Sequence, residues 1–310
     1  MAPKRGVAWM AAAVLAGAGL VSFQGQPAEA APASAVTCWS ARHPALAAQL
    51  SRDIQAAHRG RVSTVAAGLY DPGLGLGCWL NANAHFDSAS VVKATILGAL
   101  LRKAEEQHRY LTQAEASLAT AMITQSDNNA ASALWADVGR TWLQHFLNLA
   151  QMTHTVLGPG GYWGLTQITA HDEILLLQLL INPNGVLDSA SRGYELGLMA
   201  RVIPSQRWGV PAGAPASLTV HVKDGWLPRS THGWRIHSIG CFTGRNDAYS
   251  IALLTQDNPT MNYGITTVQD IAWVINRDLN PGTKPAASPA APAPARNTPD
   301  EKLPALPGIP

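Results

Sequence analysis

Helical periodicity fills the middle of this chain, and strand patterns lie on both sides of it. From Ser90 to about Leu180, apolar residues recur at the spacing of amphipathic helices. A helix and two strands precede this region, the strands being joined by a turn at residues 71–73, and three strands and a closing helix follow it. This order predicts an α+β fold in which an antiparallel sheet is assembled from both chain ends, with an all-helical region inserted between them.

Two terminal stretches stand apart from this fold. Residues 1–30 contain a short basic start, an apolar run and a final AEA, which together predict a secretory signal peptide cleaved near Ala30. Residues 281–310 are rich in Pro and Ala without apolar periodicity, which predicts an extended, disordered tail. The folded domain is therefore expected over residues 31–280.

Composition narrows the choice of partners. The 310 residues are 47% hydrophobic and carry a formal net charge of +2, with acidic and basic residues interspersed. This pattern favours neither nucleic acid nor an anionic membrane surface as a partner. The ten histidines show no H-E-x-x-H or comparable spacing, so we predict no metal and no organic cofactor. We expect a secreted monomer without stable membrane insertion after signal cleavage.

Three cysteines in an exported chain leave one unpaired. Cys38 and Cys78 are a plausible disulfide because N-terminal segments need to be tied down, although their spacing does not establish the geometry. Cys241 would then be a buried free thiol. A catalytic Cys241 is the alternative, but it lies in an apolar strand with no obvious activating neighbour.

Ser90 and Lys93 are the first candidate catalytic residues. Their i, i+3 spacing near the start of a predicted helix lets the two side chains touch. Asp87 or Ser88 can cap this helix, which places Ser90 in the first turn, where free N–H groups stabilise negative charge. A nucleophilic serine needs a nearby base and an oxyanion site, and this position supplies both. A serine three residues before a lysine also arises about once by chance in a chain of this length.

Two further polar stretches have ordinary structural explanations when each is taken alone. Ser126, Asp127 and Asn128 lie between two apolar helical runs, where these residue types are common helix caps. Lys223 begins the stretch KDGW at the end of a predicted strand, and Lys-Asp-Gly is also an ordinary strand-to-turn signature.

Taken together and in this order, the three stretches resemble the S-x-x-K, S-D-N and K-T-G motifs of class A β-lactamases and related penicillin-binding proteins. The apolar helix that runs into SDN and the order of helices and strands are also similar to that family. The resemblance covers nearly the whole domain and implies a β-lactamase-like fold.

The resemblance also implies an active-site-serine hydrolase. Ser90 would be the nucleophile that is acylated by a β-lactam or a related cell-wall peptide amide, and Lys93 would take part in its deprotonation. Ser126 would relay a proton to the leaving nitrogen, helped by Lys223, and Asn128 would bind the substrate's side-chain amide.

The strand that carries K-D-G is expected to line the substrate side of the cleft. The backbone N–H groups of Ser90 and Trp226 would form the oxyanion hole, and Asp224 and Gly225 would contact the substrate. Asp224 departs from the family's Thr or Ser. An ionised aspartate only accepts hydrogen bonds and would repel a substrate carboxylate.

Arg229 and Arg235 are near enough in sequence to offer a counter-charge to the substrate carboxylate. With or without such a counter-charge, carboxylate-bearing β-lactams are expected to be poor ligands.

The loop before the next helix is the second departure. Efficient class A enzymes use a loop glutamate to activate the deacylating water, but LGPGGYWGLTQITAHDE has no acidic residue before Asp172 and Glu173. Those two follow Thr169 in a capping arrangement. We therefore expect slow deacylation, with a D,D-peptidase or a non-catalytic binding protein as alternatives. Tyr162 and Trp163 either line the cleft mouth or belong to the core.

Overall fold

The main sheet is built from strands at both ends of the chain. The computed structural model describes residues 35–245 and 248–286. The strands of the main sheet are β1 (Thr37–Ser40), β2 (Thr64–Asp71), β3 (Leu76–Leu80), β6 (Thr219–Pro228), β7 (Trp234–Thr243) and β8 (Ala248–Asn258). They run antiparallel in the order β1-β3-β2-β8-β7-β6. The predicted α+β fold with an antiparallel sheet from both chain ends is confirmed.

Helices fill the insertion and cover the sheet. The helices are α1 (Pro44–His58), α2 (Val92–Glu106), α3 (Gln113–Thr124), α4 (Asn128–Leu149), α5 (Ala170–Ile181), α6 (Ser189–Met199) and α7 (Met261–Leu279). Helices α1 and α7 pack against each other, and α5 packs on β2, β7 and β8. Within the described ranges, none of them has both the length and the apolar character needed to cross a membrane.

The insertion is not entirely helical, because a short ladder ties its start to the loop before α5. Strands β4 (Phe86–Asp87) and β5 (Gln167–Ile168) pair antiparallel. Each is only two residues long, too short for the alternation of polar and apolar residues that reveals a strand in a sequence. This ladder holds the loop before α5 next to the turn that carries Ser90.

Helix α2 is the most enclosed element of the insertion. All residues from 91 to 101 are buried, so α2 lacks the exposed stripe of a surface helix. A Cβ on Gly98 would lie 2.5 Å from the ring of Phe146, which shows how closely α4 packs against it. Lys93 lies in this buried stretch, so its amino group must find partners inside the protein.

The helix boundaries follow the polar signals between the apolar runs. The Thr112 side chain accepts from the Glu115 N–H in a capping box, and Asp127 and Thr169 cap α4 and α5. Gly139 has φ 76° and ψ 154°, so α4 consists of two helical segments.

The N-terminal strand is tied down by the expected disulfide. Cys38 and Cys78 lie directly opposite each other on β1 and β3 and are bonded. Cys241 is a buried free thiol, and burial raises its pKa, which makes it a poor nucleophile.

Ordered contacts continue past the predicted domain end at residue 280. The Ala286 N–H donates to the Ala214 carbonyl (2.7 Å), and the Ala216 N–H donates to the Lys284 carbonyl (3.3 Å). The first residues of the predicted tail are therefore hydrogen-bonded to the loop before β6. The predicted signal peptide, residues 1–30, and residues 287–310 lie outside the described residues.

Candidate active site

Ser90 lies in a 3-10 turn, Ala89–Val91, that leads directly into α2. The prediction that Asp87 or Ser88 caps this helix is wrong: no side chain caps the 3-10 turn, and none caps α2. Asp87 belongs to β4, where its carboxylate pairs with Arg235 instead. The free N–H groups at this helix start are therefore not taken up by a side-chain cap.

Two residues at the first and second motifs have left-handed backbone conformations that favour glycine. Ala89 has φ 47° and Ser126 has φ 57°. For a residue with a Cβ, this conformation costs on the order of 1 kcal/mol. Strain of this kind persists only where the surrounding structure imposes it. Here it occurs just before the serine of the first motif and at the serine of the second.

Lys93 connects the first two motifs. Its Nζ lies 2.9 Å from Ser90 Oγ, 3.0 Å from Ser126 Oγ, 2.6 Å from the Ser126 carbonyl and 2.7 Å from Asn128 Oδ1. These are four oxygens, whereas an ammonium group has three N–H bonds. At least one contact is therefore shared, or is donated to a neutral amine by a serine hydroxyl.

One residue of the SDN motif caps a helix, and the other two contact Lys93. Asp127 is the structural member, since its Oδ1 accepts from the Ala130 N–H (2.7 Å) and caps α4. Ser126 and Asn128 instead turn their side chains to Lys93. Asp127 is therefore a helix cap, as these residue types often are, while the Ser126 and Asn128 side chains face Lys93.

Lys223 reaches the same place from the sheet. Its Nζ donates to Ser126 Oγ (3.1 Å) and to the Asp224 carbonyl (2.9 Å). The side chain is fully buried, and burial lowers its pKa to about 8. Lys223 was expected at the end of a strand, but β6 continues to Pro228, so it lies within the strand.

Gly225 brings β6 against the serine turn. A Cβ at this position would lie 2.9 Å from the Val91 nitrogen, 3.0 Å from the Ser90 nitrogen and 3.1 Å from the Ser88 carbonyl oxygen. All three are backbone atoms that no side-chain rotation can move. Only glycine allows the strand to approach Ser90 this closely.

Asp224 and Trp226 face the other side of β6. Asp224 is fully buried, its Oδ2 accepts from the Trp208 N–H (3.1 Å), and its Oδ1 has no hydrogen-bond partner. Burial raises its pKa well above the ordinary value, although the charges of Lys223 and Arg207 oppose this shift. The Trp226 ring packs 6.2 Å from the Trp208 ring. The structure therefore does not present Asp224 as an exposed anion, because adjacent strand residues point to opposite faces.

The two arginines considered as counter-charges bind another partner. Arg235 lies 3.1 Å and Arg229 lies 3.8 Å from Asp87 Oδ2. His237 contacts the Asp87 carbonyl through Nε2 (2.8 Å). Sequence reasoning instead missed Arg207, the arginine whose charge acts on Asp224.

The loop before α5, which lacks the glutamate of efficient class A enzymes, places an indole next to Lys93. The Trp163 ring centroid lies 4.8 Å from Lys93 Nζ, and its Nε1 donates to Ser132 Oγ (3.1 Å). Asp172 accepts from the His154 N–H, and Glu173 is buried without a hydrogen-bond partner. Burial and the neighbouring Asp172 raise the pKa of Glu173 to about 8. The only sequence signal for Trp163 was its place among the aromatic residues of this loop, which are candidates for the cleft mouth.

A protein-family comparison identifies the class of protein. The sequence profile of the Beta-lactamase enzyme family matches residues 116–279, more than half of the chain. The chain belongs to this family, whose class A β-lactamases and penicillin-binding relatives share its fold. The matched region contains the second and third motifs and begins after Ser90 and Lys93. A search of curated proteins finds no match.

Solved structures with the same fold include both β-lactamases and a penicillin-binding protein. A class A β-lactamase from Bacteroides cellulosilyticus superposes with a TM-score of 0.66 at 16% identity, covering 75% of this chain and 98% of the other. A β-lactamase from Sphaerobacter thermophilus gives 0.65 at 20% identity, with 76% and 98% covered. PBP-A gives 0.64 at 18%, with 75% and 96% covered. A PBP-A variant was solved as an acyl-enzyme complex with penicillin G.

Proposed function

We propose that this protein is an exported serine hydrolase that is acylated at Ser90 by a β-lactam or a related cell-wall peptide amide, and that deacylates slowly. The observation that carries the proposal is an unbroken series of contacts from Ser90 Oγ to Lys93 Nζ, Ser126 Oγ and Lys223 Nζ. Its successive distances are 2.9, 3.0 and 3.1 Å. All lie within the range of about 2.6–3.2 Å that proton transfer requires.

These contacts supply each proton transfer of the acylation step. As Ser90 Oγ bonds to the carbonyl carbon, Lys93 in its neutral form takes the hydroxyl proton. As the carbon–nitrogen bond breaks, Ser126 gives its proton to the leaving nitrogen and regains one from the protonated Lys93, whose Nζ contacts its Oγ; Lys223 also contacts this oxygen. Lys93 returns to its starting form, so the protons balance over the step.

The edge of β6 supports the proposed oxyanion hole. Strand β6 is the last strand of the sheet and pairs only with β7. Lys223 Nζ binds the Asp224 carbonyl, so that carbonyl points away from β7. Since alternate residues of a strand direct their backbone groups to the same edge, the Trp226 N–H points there too. With the Ser90 N–H, which lies against Gly225, it would hold the developing oxyanion.

Slow deacylation follows from what lies over Lys93. Hydrolysis of an acyl-enzyme needs a base that activates water beside the ester carbon. The loop from 158 to 168 contains no acidic residue, and Trp163 covers Lys93 with an apolar ring. The loop therefore supplies no base to activate water at this position, and the indole covers the amine of Lys93.

The decisive experiment is intact mass spectrometry of the full chain during incubation with penicillin G. The parent is expected to gain one penicillin mass that persists, and Ser90→Ala is expected to gain none. Ser117→Ala changes a serine on α3 outside the motifs and should form the adduct like the parent. Absence of an adduct in the folded parent would overturn the proposal. An adduct that clears within seconds would refute slow deacylation only.

Replacement of the indole by a carboxylate tests the second half of the proposal. Trp163→Glu places a base next to Lys93 and is expected to shorten the lifetime of the adduct at least tenfold. Trp163→Leu is the matched control, because it opens the same space without a base. Equal lifetimes in the two variants would contradict the role assigned to the loop.

A D,D-peptidase is the second candidate, and the loop without a carboxylate is the observation that favours it. Such an enzyme releases a terminal D-Ala from a peptide ending in D-Ala-D-Ala and binds penicillin as a persistent adduct. Amino-acid analysis of that peptide after incubation distinguishes it from a slow β-lactamase. A protein that only binds ligands would instead retain penicillin affinity in Ser90→Ala and form no adduct.

The disulfide supports export. Bonds such as Cys38–Cys78 form and persist in oxidising compartments and are rare in the cytosol. The signal-like pattern of residues 1–30 points the same way. N-terminal sequencing of the protein recovered from culture medium is expected to start near Ala31.

A further inference from the structure

Three side chains able to bind a metal meet at the base of the loop before α5. They are His154, His171 and Asp172, whose nearest ligand atoms all lie within 4.8 Å of one another. None of the three belongs to the sequence motifs. We propose that they form a binding site for a divalent transition-metal ion of the Zn²⁺ type.

The two distances from the carboxylate to the rings are those of a coordination shell, and all three ligand atoms lie within 4.8 Å of one another. Asp172 Oδ1 lies 3.4 Å from His154 Nδ1 and 3.3 Å from His171 Nδ1. In a tetrahedral site with metal–ligand bonds of about 2.0–2.1 Å, neighbouring ligand atoms are about 3.3–3.4 Å apart. A good hydrogen bond from an imidazole N–H would be shorter, about 2.7–3.2 Å. The Nδ1 atoms of both rings therefore lie as far from the carboxylate oxygen as two ligands of one metal ion do.

Asp172 is held as a metal-binding carboxylate usually is. Its Oδ2 accepts from the His154 N–H (2.9 Å) and from the Thr155 hydroxyl (2.8 Å). These two bonds fix the group and leave Oδ1 directed at the two rings. The side chain is fully buried, so an ion here would meet a preoriented anion of low mobility.

The two histidines complete the site from the solvent side. Their side chains are about 40% exposed, which leaves room for ion entry and for water as a fourth ligand. The rings meet edge to face with centroids 5.8 Å apart, and Trp79 packs 5.6 Å from His171. Packing therefore restricts the His171 ring before any ion binds.

A bound ion would join the two ends of the loop that carries Trp163. His154 precedes this loop, and His171 and Asp172 begin α5 on its other side. The loop lies over Lys93 through Trp163, so the ion would limit how far the indole moves from the serine. The three ligands form no compact sequence motif, because 18 positions separate the first from the last.

Calorimetric titration of the full chain without an affinity tag, with Zn²⁺ alone, tests the proposal. One equivalent is expected to bind, and His171→Ala and His154→Ala are each expected to weaken binding at least tenfold. His232→Ala is the matched control, because His232 also pairs with one aspartate, Asp257, at 2.8 Å. It should bind like the parent.

Co²⁺ gives an independent readout. The intense visible absorption of tetrahedral Co²⁺ is expected in the parent and in His232→Ala, and its loss is expected in His171→Ala. Both ring variants remove partly exposed side chains, and circular dichroism checks that they fold. No Zn²⁺ binding by the folded parent, or equal affinity in His171→Ala and His232→Ala, would overturn the proposal.

Discussion

Replacement of Gly225 by alanine measures how much the site depends on the close approach of β6 to the serine turn. The added Cβ would lie 2.9 Å from the Val91 nitrogen and 3.0 Å from the Ser90 nitrogen, whereas ordinary contact begins at 3.4 Å. The strand and the turn must therefore separate by 3.4 − 2.9, or about half an ångström. Because both partners are backbone, the separation displaces both sides of the proposed oxyanion hole.

The expected size of the effect follows from that displacement. Overpacking of this kind costs about 1–3 kcal/mol, which lowers the melting temperature of a domain of this size by about 2–12 °C. A misplacement of 1 Å in an active site costs about 10²-fold in rate, so half of it should slow acylation about tenfold. Acylation should fall at temperatures where the variant is fully folded.

The assay follows penicillin adduct formation by mass and unfolding by circular dichroism. Gly193→Ala is the matched control, because a Cβ at Gly193 in α6 meets no atom within 4 Å. That substitution should leave acylation unchanged and stabilise the helix by about 0.5–1 kcal/mol. If the acylation rate of Gly225→Ala is within twofold of the parent's rate, the close approach of β6 to the serine turn does not govern the reaction.

Three further outcomes are expected. Burial lowers the pKa of Lys223 to about 8, so this lysine loses its positive charge above that pH. Because penicillin is an anion, the rate of acylation should fall as the pH rises through 8. A rate that stays constant up to pH 9.5 would contradict this. Burial raises the pKa of Glu195, which stays neutral when folded but ionises when unfolded above about pH 4.3. Glu195 alone should therefore lower the free energy of unfolding by about 1.4 kcal/mol per pH unit from that value up to its folded pKa, and urea unfolding of Glu195→Gln should show a slope smaller than the parent's by this amount. A thiol assay of the denatured protein should detect one thiol before reduction and three after it. The double variant Cys38→Ala, Cys78→Ala should lower the free energy of unfolding by about 4 kcal/mol, the value for a disulfide that spans 40 residues.

The fold could be predicted from the sequence because its signals are local. Helix and strand periodicities depend on residues a few positions apart, and their order along the chain determined an α+β fold with strands from both ends. The motifs could be found for the same reason, since the i, i+3 spacing of Ser90 and Lys93 is itself local. The cap expected at Asp87 failed, because an arginine almost 150 positions away pairs with that carboxylate.

Only the tertiary structure decided what each motif residue faces. The sequence by itself determined that the serines, lysines and glycine of the three motifs follow one another in the order typical of the family. It did not determine that Asp224 turns beneath Trp208, that Trp163 covers Lys93, or that two histidines and Asp172 meet below the loop. These contacts join segments that are distant in the chain, and packing of the sheet and the helices brings them together. Their chemistry depends on burial and distance, which arise only once the chain has folded.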